Sequence, residues 1–435
     1  MSATRNNLLA NFFQQAGGAL LFLFIPGILD VQEFGRVTVI TTLLSLAVIS
    51  DIGFSHVYSR AMPGVLAGGG ADEILRWDVA ASISRICGGA IFGLFGAGYF
   101  WFRTGYGWEA LLLILVFPSL AATGYLVTRS VVASDFQAVR NLSLVQSIGR
   151  LSSIPAGAIA GVAGWLVGQL ISAAGILLLP AARQQLANVV MERKQFDGAL
   201  VKKHLGEALL LCLVAGVWTQ LMASARLFAV LGYPEATVAR YGLVASLYQV
   251  GASVILAAFV PQTVRLYRSL AEDVPAGVIL ALRVAAIGGS VVLALALIGS
   301  VVAAPMLAWL FPKYGVQASM AVPLLLSVVN CAIVSILGSV MIGTGNAKTY
   351  LLILAGSFVA SMILPVVLSP WLAGDAAAVS QLLAMSINSV LLVIAVVTKF
   401  GQHTGRQVTA WVSASLPLAA VVLAPLLMSL TINFH

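Results

Sequence analysis

Three arginines interrupt stretches that are otherwise almost wholly apolar: Arg85 in AASISRICGGAIFGLF (80–95), Arg129 in GYLVTRSVV (124–132) and Arg150 in NLSLVQSIGRLSSIPAGAIAG (141–161). A guanidinium keeps its charge at any physiological pH and presents paired N–H donors that match a phosphate or a carboxylate. Asp51, in AVISDIGFSHVYSR (47–60), is the clear carboxylate set in such a stretch. A charge at the centre of a lipid-spanning segment costs roughly 2.5–3.5 kcal/mol on insertion scales, so each of these groups needs a partner, a wet cavity or a path to the interface.

Read as helical, the sequence puts Asp51 about 12 Å and Arg85 about 9 Å from the same membrane face. Two roles are open for Asp51: a neutralising pair with Arg85, or a site for a coupling proton or sodium ion. Arg150 lies about 13 Å deep, and no carboxylate shares its helix. It recurs with Gln146, Ser147 and Ser153 at three- and four-residue spacing, a face expected to line water and meet an anionic substrate; pairing with a carboxylate on another helix is the alternative. Arg129 either extends that basic surface or snorkels to the interface, and Arg226, near an outer helix end, either snorkels or continues a cationic track. Gln14, Gln15, Gln220, Gln249, Asn330 and Asn388 fall near mid-span, where amides bond helix to helix or line a sugar-compatible cavity.

The elements that position these groups follow from composition. The 435 residues hold 15 Asp and Glu against 23 Lys and Arg, 60% are hydrophobic, and mean hydropathy is +1.02. That is far too apolar for a soluble domain. Lipid cannot satisfy a bare backbone, so each apolar run of twenty or so residues is expected to be a spanning helix. No run alternates as a barrel strand would. The fold class is an all-α integral membrane protein of about thirteen spans, within a range of about twelve to fourteen. Expected helices cover 8–29, 36–59, 79–102, 109–134, 141–161 and 163–182, then 206–231, 238–263, 278–303, 316–342, 347–369, 376–398 and 410–430. The domains are a first six-helix lobe (1–182), a cytoplasmic amphipathic linker (183–205), a second six-helix lobe (206–398) and an extra C-terminal helix (399–435). The opening MSATRNN is too short and too weakly basic for a cleaved signal, so the first helix is expected to stay.

Lys and Arg resist translocation. With the N-terminus cytoplasmic, fourteen cations fall in inner segments, and Arg36, Arg103, Arg240 and Lys313 are left for the outer loops. The positive balance is then a membrane-topology bias and does not signal a nucleic-acid surface. Cys87, Cys212 and Cys331 all fall in spans, without disulfide or metal spacing. A weak internal echo relates the halves. EFGRV at Gly35 matches RYGLV at Gly242 (242 minus 35 is 207), and the stretch around Asp135 matches that around Asn346 (346 minus 135 is 211). Such duplication is common in transporters. There is no Walker A motif, no nucleophile with a base and no metal-ligand cluster in the sequence, so it favours moving a substrate over transforming it and requires no cofactor beyond a coupling ion.

The first sixty residues resemble the start of bacterial polysaccharide-transport proteins, the oligosaccharide flippases. The features are a first helix bearing Asn and Gly, an acidic-aromatic-glycine turn (Glu33-Phe34-Gly35), a second helix ending near Asp51-Ile52-Gly53, and then Arg60. The resemblance implies the multidrug/oligosaccharidyl-lipid/polysaccharide exporter fold, two lobes in a V about a central cavity. It implies a monomer in the bacterial inner membrane that turns an undecaprenyl-pyrophosphate-linked glycan from the cytoplasmic to the periplasmic leaflet, working beside a polysaccharide polymerase and chain-length regulator. Carried over as pyrophosphate contacts are Arg150 and Arg85, with Arg129 next. The odd thirteenth helix departs from the usual even counts. A cation-coupled multidrug antiporter of the same fold and a membrane-embedded glycosyltransferase or polymerase are the competing readings.

Overall fold

The computed structural model describes residues 9–10, 13, 17–18, 20–21, 23–46, 49–68, 70–400 and 407–432. Its described residues form helices joined by short turns, without a strand among them, and eight helices are long and apolar enough to cross a membrane. The chain is a multi-pass membrane protein. It divides into two compact units, Met1–Gly216 and Val217–His435.

In unit 1 the described residues between 9 and 28 are helical. They are followed by α1 (Val31–Leu46), α2 (Phe54–Gly68), α3 (Ala71–Thr104), α4 (Gly107–Val132), α5 (Phe136–Leu151), α6 (Ser153–Gly175), α7 (Pro180–Met191) and α8 (Gly198–Met222). The second predicted helix is therefore two helices. α1 starts earlier than hydropathy suggests because Asp30 and Glu33 form a reciprocal cap: Glu33 N–H donates to Asp30 Oδ1 (2.6 Å) and Asp30 N–H to Glu33 Oε2 (3.2 Å). The Glu33-Phe34-Gly35 turn of the sequence reading is thus the first turn of a helix. Arg36, assigned from sequence to an outer loop, is buried against Glu109 (3.4 Å) and over the Tyr106 ring (3.6 Å).

The fifth and sixth predicted spans form a hairpin. α6 folds back at Ala160 (φ −131°) and Gly161 (φ 58°, ψ −138°), a conformation open to glycine. The two arms meet at closely packed small residues. A Cβ on Gly164 would overlap the Ala156 carbonyl, and one on Gly149 would press on Ser172, whose hydroxyl donates to the Gln146 carbonyl (2.8 Å). Small residues let backbones approach where lipid offers no hydrophobic drive. Beyond the hairpin, the predicted linker region carries α7, which lays Ala182 and Val189 on the unit 1 core beside Tyr58 and Trp77, and α8 begins inside it.

Unit 2 continues with α9 (Ser224–Gly232), α10 (Glu235–Glu272), α11 (Val274–Leu310), α12 (Ala318–Leu326), α13 (Val328–Gly343), α14 (Ala347–Leu372), α15 (Ala376–Phe400) and α16 (Gln407–Ile432). α16, the extra helix of the sequence reading, packs Ala420 and Ala424 against Val322, Leu326 and Leu382 and is part of that unit's core. The internal echo is visible in backbone chemistry. Asp135 N–H bonds to the Ser130 carbonyl (2.9 Å) and Asn346 N–H to that of Met341 (2.7 Å), while Ser134 and Gly345 hold φ of 58° and 76°. Each pair is separated by 211 residues.

Substituting Gly164 by Val should destabilise the hairpin by about 1–3 kcal/mol, the range for forcing atoms into a packed core. Gly98→Ala, where a Cβ meets nothing within 4 Å, should leave the melting temperature of the detergent-solubilised chain unchanged.

Candidate functional site

Asp51 is buried in the break between α1 and α2. Its Oδ1 accepts from Gly53 N–H (2.9 Å) and its Oδ2 from Ser55 N–H (3.2 Å). Ile52 and Gly53 take left-handed φ of 54° and 78°, and Gly53 lies against the Ala208 carbonyl where a Cβ could not fit. The carboxylate thus caps a helix that starts within an apolar stretch, satisfying amides that lipid could not. No direct ion pair joins Asp51 to Arg85 among the described residues, although the aspartate's charge still acts on that arginine. The duplicated unit has no such break, since α10 runs continuously from Glu235 to Glu272.

Arg85 lies instead on the seam between α3 and α4. Its Nη1 donates to Thr128 Oγ1 (3.1 Å), and the guanidinium rests on Gly124, where a missing side chain leaves it room. Two turns earlier on α3, Asp78 holds Arg129 through its Nε (2.9 Å) and accepts from the Tyr58 hydroxyl (2.5 Å). Arg129 is therefore paired with a carboxylate, an arrangement that neither of the two sequence readings included. Asp78 escaped the sequence reading because α3 starts at Ala71, eight residues before the hydropathic run expected at 79. The acidic first turn, Asp72 and Glu73, was the available signal for that start.

On α5 the expected polar face divides. Ser147 Oγ donates to the Phe13 carbonyl (2.9 Å) and Ser153 Oγ accepts from Gln169 Nε2 (3.2 Å), so both serines bond helix to helix rather than line water. Arg150, one turn beyond Gln146, is partly exposed and has no ion pair among the described residues. It lies at the end of α5, directly before the membrane-length helical stretch Ser153–Leu178.

Unit 2 holds the other two nominated residues. Gln249 is exposed on α10, whereas Arg226, on the first turn of α9, is almost fully enclosed rather than snorkelling. Gln14 and Gln15 lie outside the described residues. Sequence reading passed over two groups here: Arg283, exposed on α11, and Gln381, buried on α15. Gln381 looks in sequence like any amide in an apolar helix, and only its neighbours distinguish it.

Asp51→Asn should melt close to the wild type, because asparagine caps as well as aspartate, while Asp51→Ala should cost about 1 kcal/mol. Arg129→Met should destabilise the protein by about 3 kcal/mol, for it strands Asp78. The double variant Arg129→Met/Asp78→Leu should recover most of that loss in the same thermal melt.

No protein-family model matches the chain, and neither does any curated protein sequence. Solved structures do. An inward-facing multidrug resistance MATE family transporter of the MOP superfamily aligns with a TM-score of 0.64 at 15% identity, covering 91% of this chain and 96% of that one. The lipid II flippase MurJ in an inward closed conformation aligns at 0.62 with 11% identity, over 95% and 97% of the two chains. A mutant of the Vibrio cholerae MATE transporter VcmN aligns at 0.61 with 14% identity, over 93% and 97%. Across nearly its whole length, the chain has the all-helical fold shared by MATE transporters and MurJ.

Proposed function

We propose that the protein is a transporter of this fold that turns an undecaprenyl-pyrophosphate-linked oligosaccharide, an O-antigen or exopolysaccharide repeat unit, from the cytoplasmic to the periplasmic leaflet by alternating access. The observation that carries the reading is Arg150, a fixed cation at the end of α5, next to the membrane-length stretch Ser153–Leu178 and without an ionic partner among the described residues. A diphosphate cannot cross hydrocarbon bare, and a guanidinium offers it charge and two donors in one plane. Arg85, which donates to the Thr128 hydroxyl and forms no ion pair among the described residues, is the second cation assigned to this use, with Asp51 near enough for its charge to act on it. The chain itself needs no bond-breaking chemistry, since the gradient of a coupling proton or sodium ion would supply the work. A polymerase and a chain-length regulator would consume the product.

The rival with the same fold is a multidrug antiporter, and the fold serves both equally well. Charge balance weighs against it. An exporter of organic cations needs a carboxylate at liberty, yet here Asp51 caps α2, Asp78 holds Arg129, and Glu109 holds Arg36. The side chains left with charge to spare within the spans are basic.

Arg150→Ala should abolish export, seen as lipid-linked glycan accumulating on the inner leaflet, with membrane insertion and melting temperature unchanged. Normal export by that variant would remove Arg150 from the mechanism. Vesicles containing the purified chain that expel a lipophilic cationic dye, and leave the lipid-linked glycan where it was, would replace this reading with the antiporter.

A further inference from the structure

Unit 2 contains nine cations and four carboxylates. The four are Glu235 at the start of α10, Glu272 at its end, Asp273 in the next turn and Asp375 in the turn before α15. No carboxylate therefore stands in the interior of a helix of this unit. Arg226 nevertheless has only 4% of its surface exposed, its Nε is buried without a hydrogen-bond partner, and it forms no ion pair among the described residues. An arginine near a helix end ordinarily extends its head to water. A cation that stays enclosed is costly unless a counter-charge reaches it, and this unit's own spans hold none.

The local backbone is prepared for one. The helix that begins as α8 breaks at Ala223 (φ −109°, ψ 11°) and restarts as α9 at Ser224, so Arg226 lies on a first turn, at the positive end of a helix dipole. The Ser224 hydroxyl is likewise buried without a partner. The break is held by one side chain. Gln381, 1% exposed on α15, donates through Nε2 to the Met222 carbonyl (2.9 Å) and accepts through Oε1 from Ala225 N–H (2.9 Å). One carboxamide thus takes an orphaned carbonyl on one side of the break and an orphaned amide on the other. It fixes the residue next to Arg226, and with it the direction in which that arginine leaves the helix.

The geometry points to a second anion-binding site, at the first turn of α9, in which Arg226 is the charged group and Gln381 the positioning residue. Its ligand is a cluster of anionic oxygens, a phosphate or a sugar carboxylate. Assigning that ligand to the transported molecule rests on the flippase reading, whereas the site itself does not.

The test uses the full chain in nanodiscs of uncharged phosphatidylcholine, titrated calorimetrically with inorganic pyrophosphate and, separately, with glucuronate. Each titration is paired with a thermal melt in the absence of ligand. Arg226→Gln should weaken binding of at least one probe by about tenfold or more, the scale of a lost charge-assisted contact. Arg226→Lys should recover part of it, since charge returns without the planar fork. Gln381→Leu should weaken the same probe, and Gln381→Leu/Arg226→Gln should lose little beyond Arg226→Gln alone, because the two act as one unit. A purely structural role for Gln381 would lower the melting temperature and leave affinity as it was. Should Arg226→Gln fail to fold, Arg226→Lys decides: affinities equal to wild type for both probes overturn the site. So does an Arg226→Gln protein that binds both probes normally. If Arg150→Ala abolishes pyrophosphate binding and Arg226→Gln does not, this site falls and the flippase reading stands. If Arg226→Gln weakens binding but the wild-type chain moves no lipid-linked glycan, the site stands and the flippase reading falls.

Discussion

In hydrocarbon a backbone must satisfy its own hydrogen bonds, and a helix may be interrupted only where something else takes over the freed groups. The special positions of this protein follow from that constraint. Asp51 supplies two carboxylate oxygens to the amides that open α2. Gln381 supplies one carboxamide to both sides of the break between α8 and α9. At Gly161 the chain reverses sharply, and Glu33 lies where a side chain would otherwise stand. Polar residues that look anomalous in an apolar sequence are, at these points, the substitutes for water.

The same accounting divides the charges. A carboxylate in a span is either a cap or the partner of an arginine, and that leaves the basic groups in surplus. Asp78 neutralises Arg129 and accepts from Tyr58, whereas Arg85 on the same seam donates to a threonine hydroxyl and forms no ion pair among the described residues. Arg150 forms no ion pair among the described residues. On the proposed reading, an arginine held in the bilayer without an ionic partner bears its desolvation in exchange for affinity toward an anion.

The turns at Ser134 and Gly345 match bond for bond, 211 residues apart, in keeping with the weak repeat read from the sequence. The two units differ where function would make them differ. The helix of unit 1 that breaks at Asp51 has an unbroken counterpart in α10, while the break that Gln381 holds lies in unit 2.

The sequence by itself determined the all-helical membrane class, the hairpin boundary near residue 161 and the identity of the arginines, because hydropathy and charge act residue by residue and need no neighbours to be read; the starts of α1 and α3 and the break at Asp51 it did not. It could not decide what each charge touches. Arg129 and Arg150 look alike in sequence, yet one meets Asp78 across a seam and the other meets no carboxylate. Asp51 and Arg85 share a depth, and the charge of one acts on the other, yet they form no direct ion pair among the described residues, because the helix breaks at Asp51 and turns its oxygens onto its own backbone. Partners of that kind lie on other helices or depend on a local φ, so only the tertiary structure, which fixes the seams and the breaks, could separate the neutralised charges from the ones left to bind.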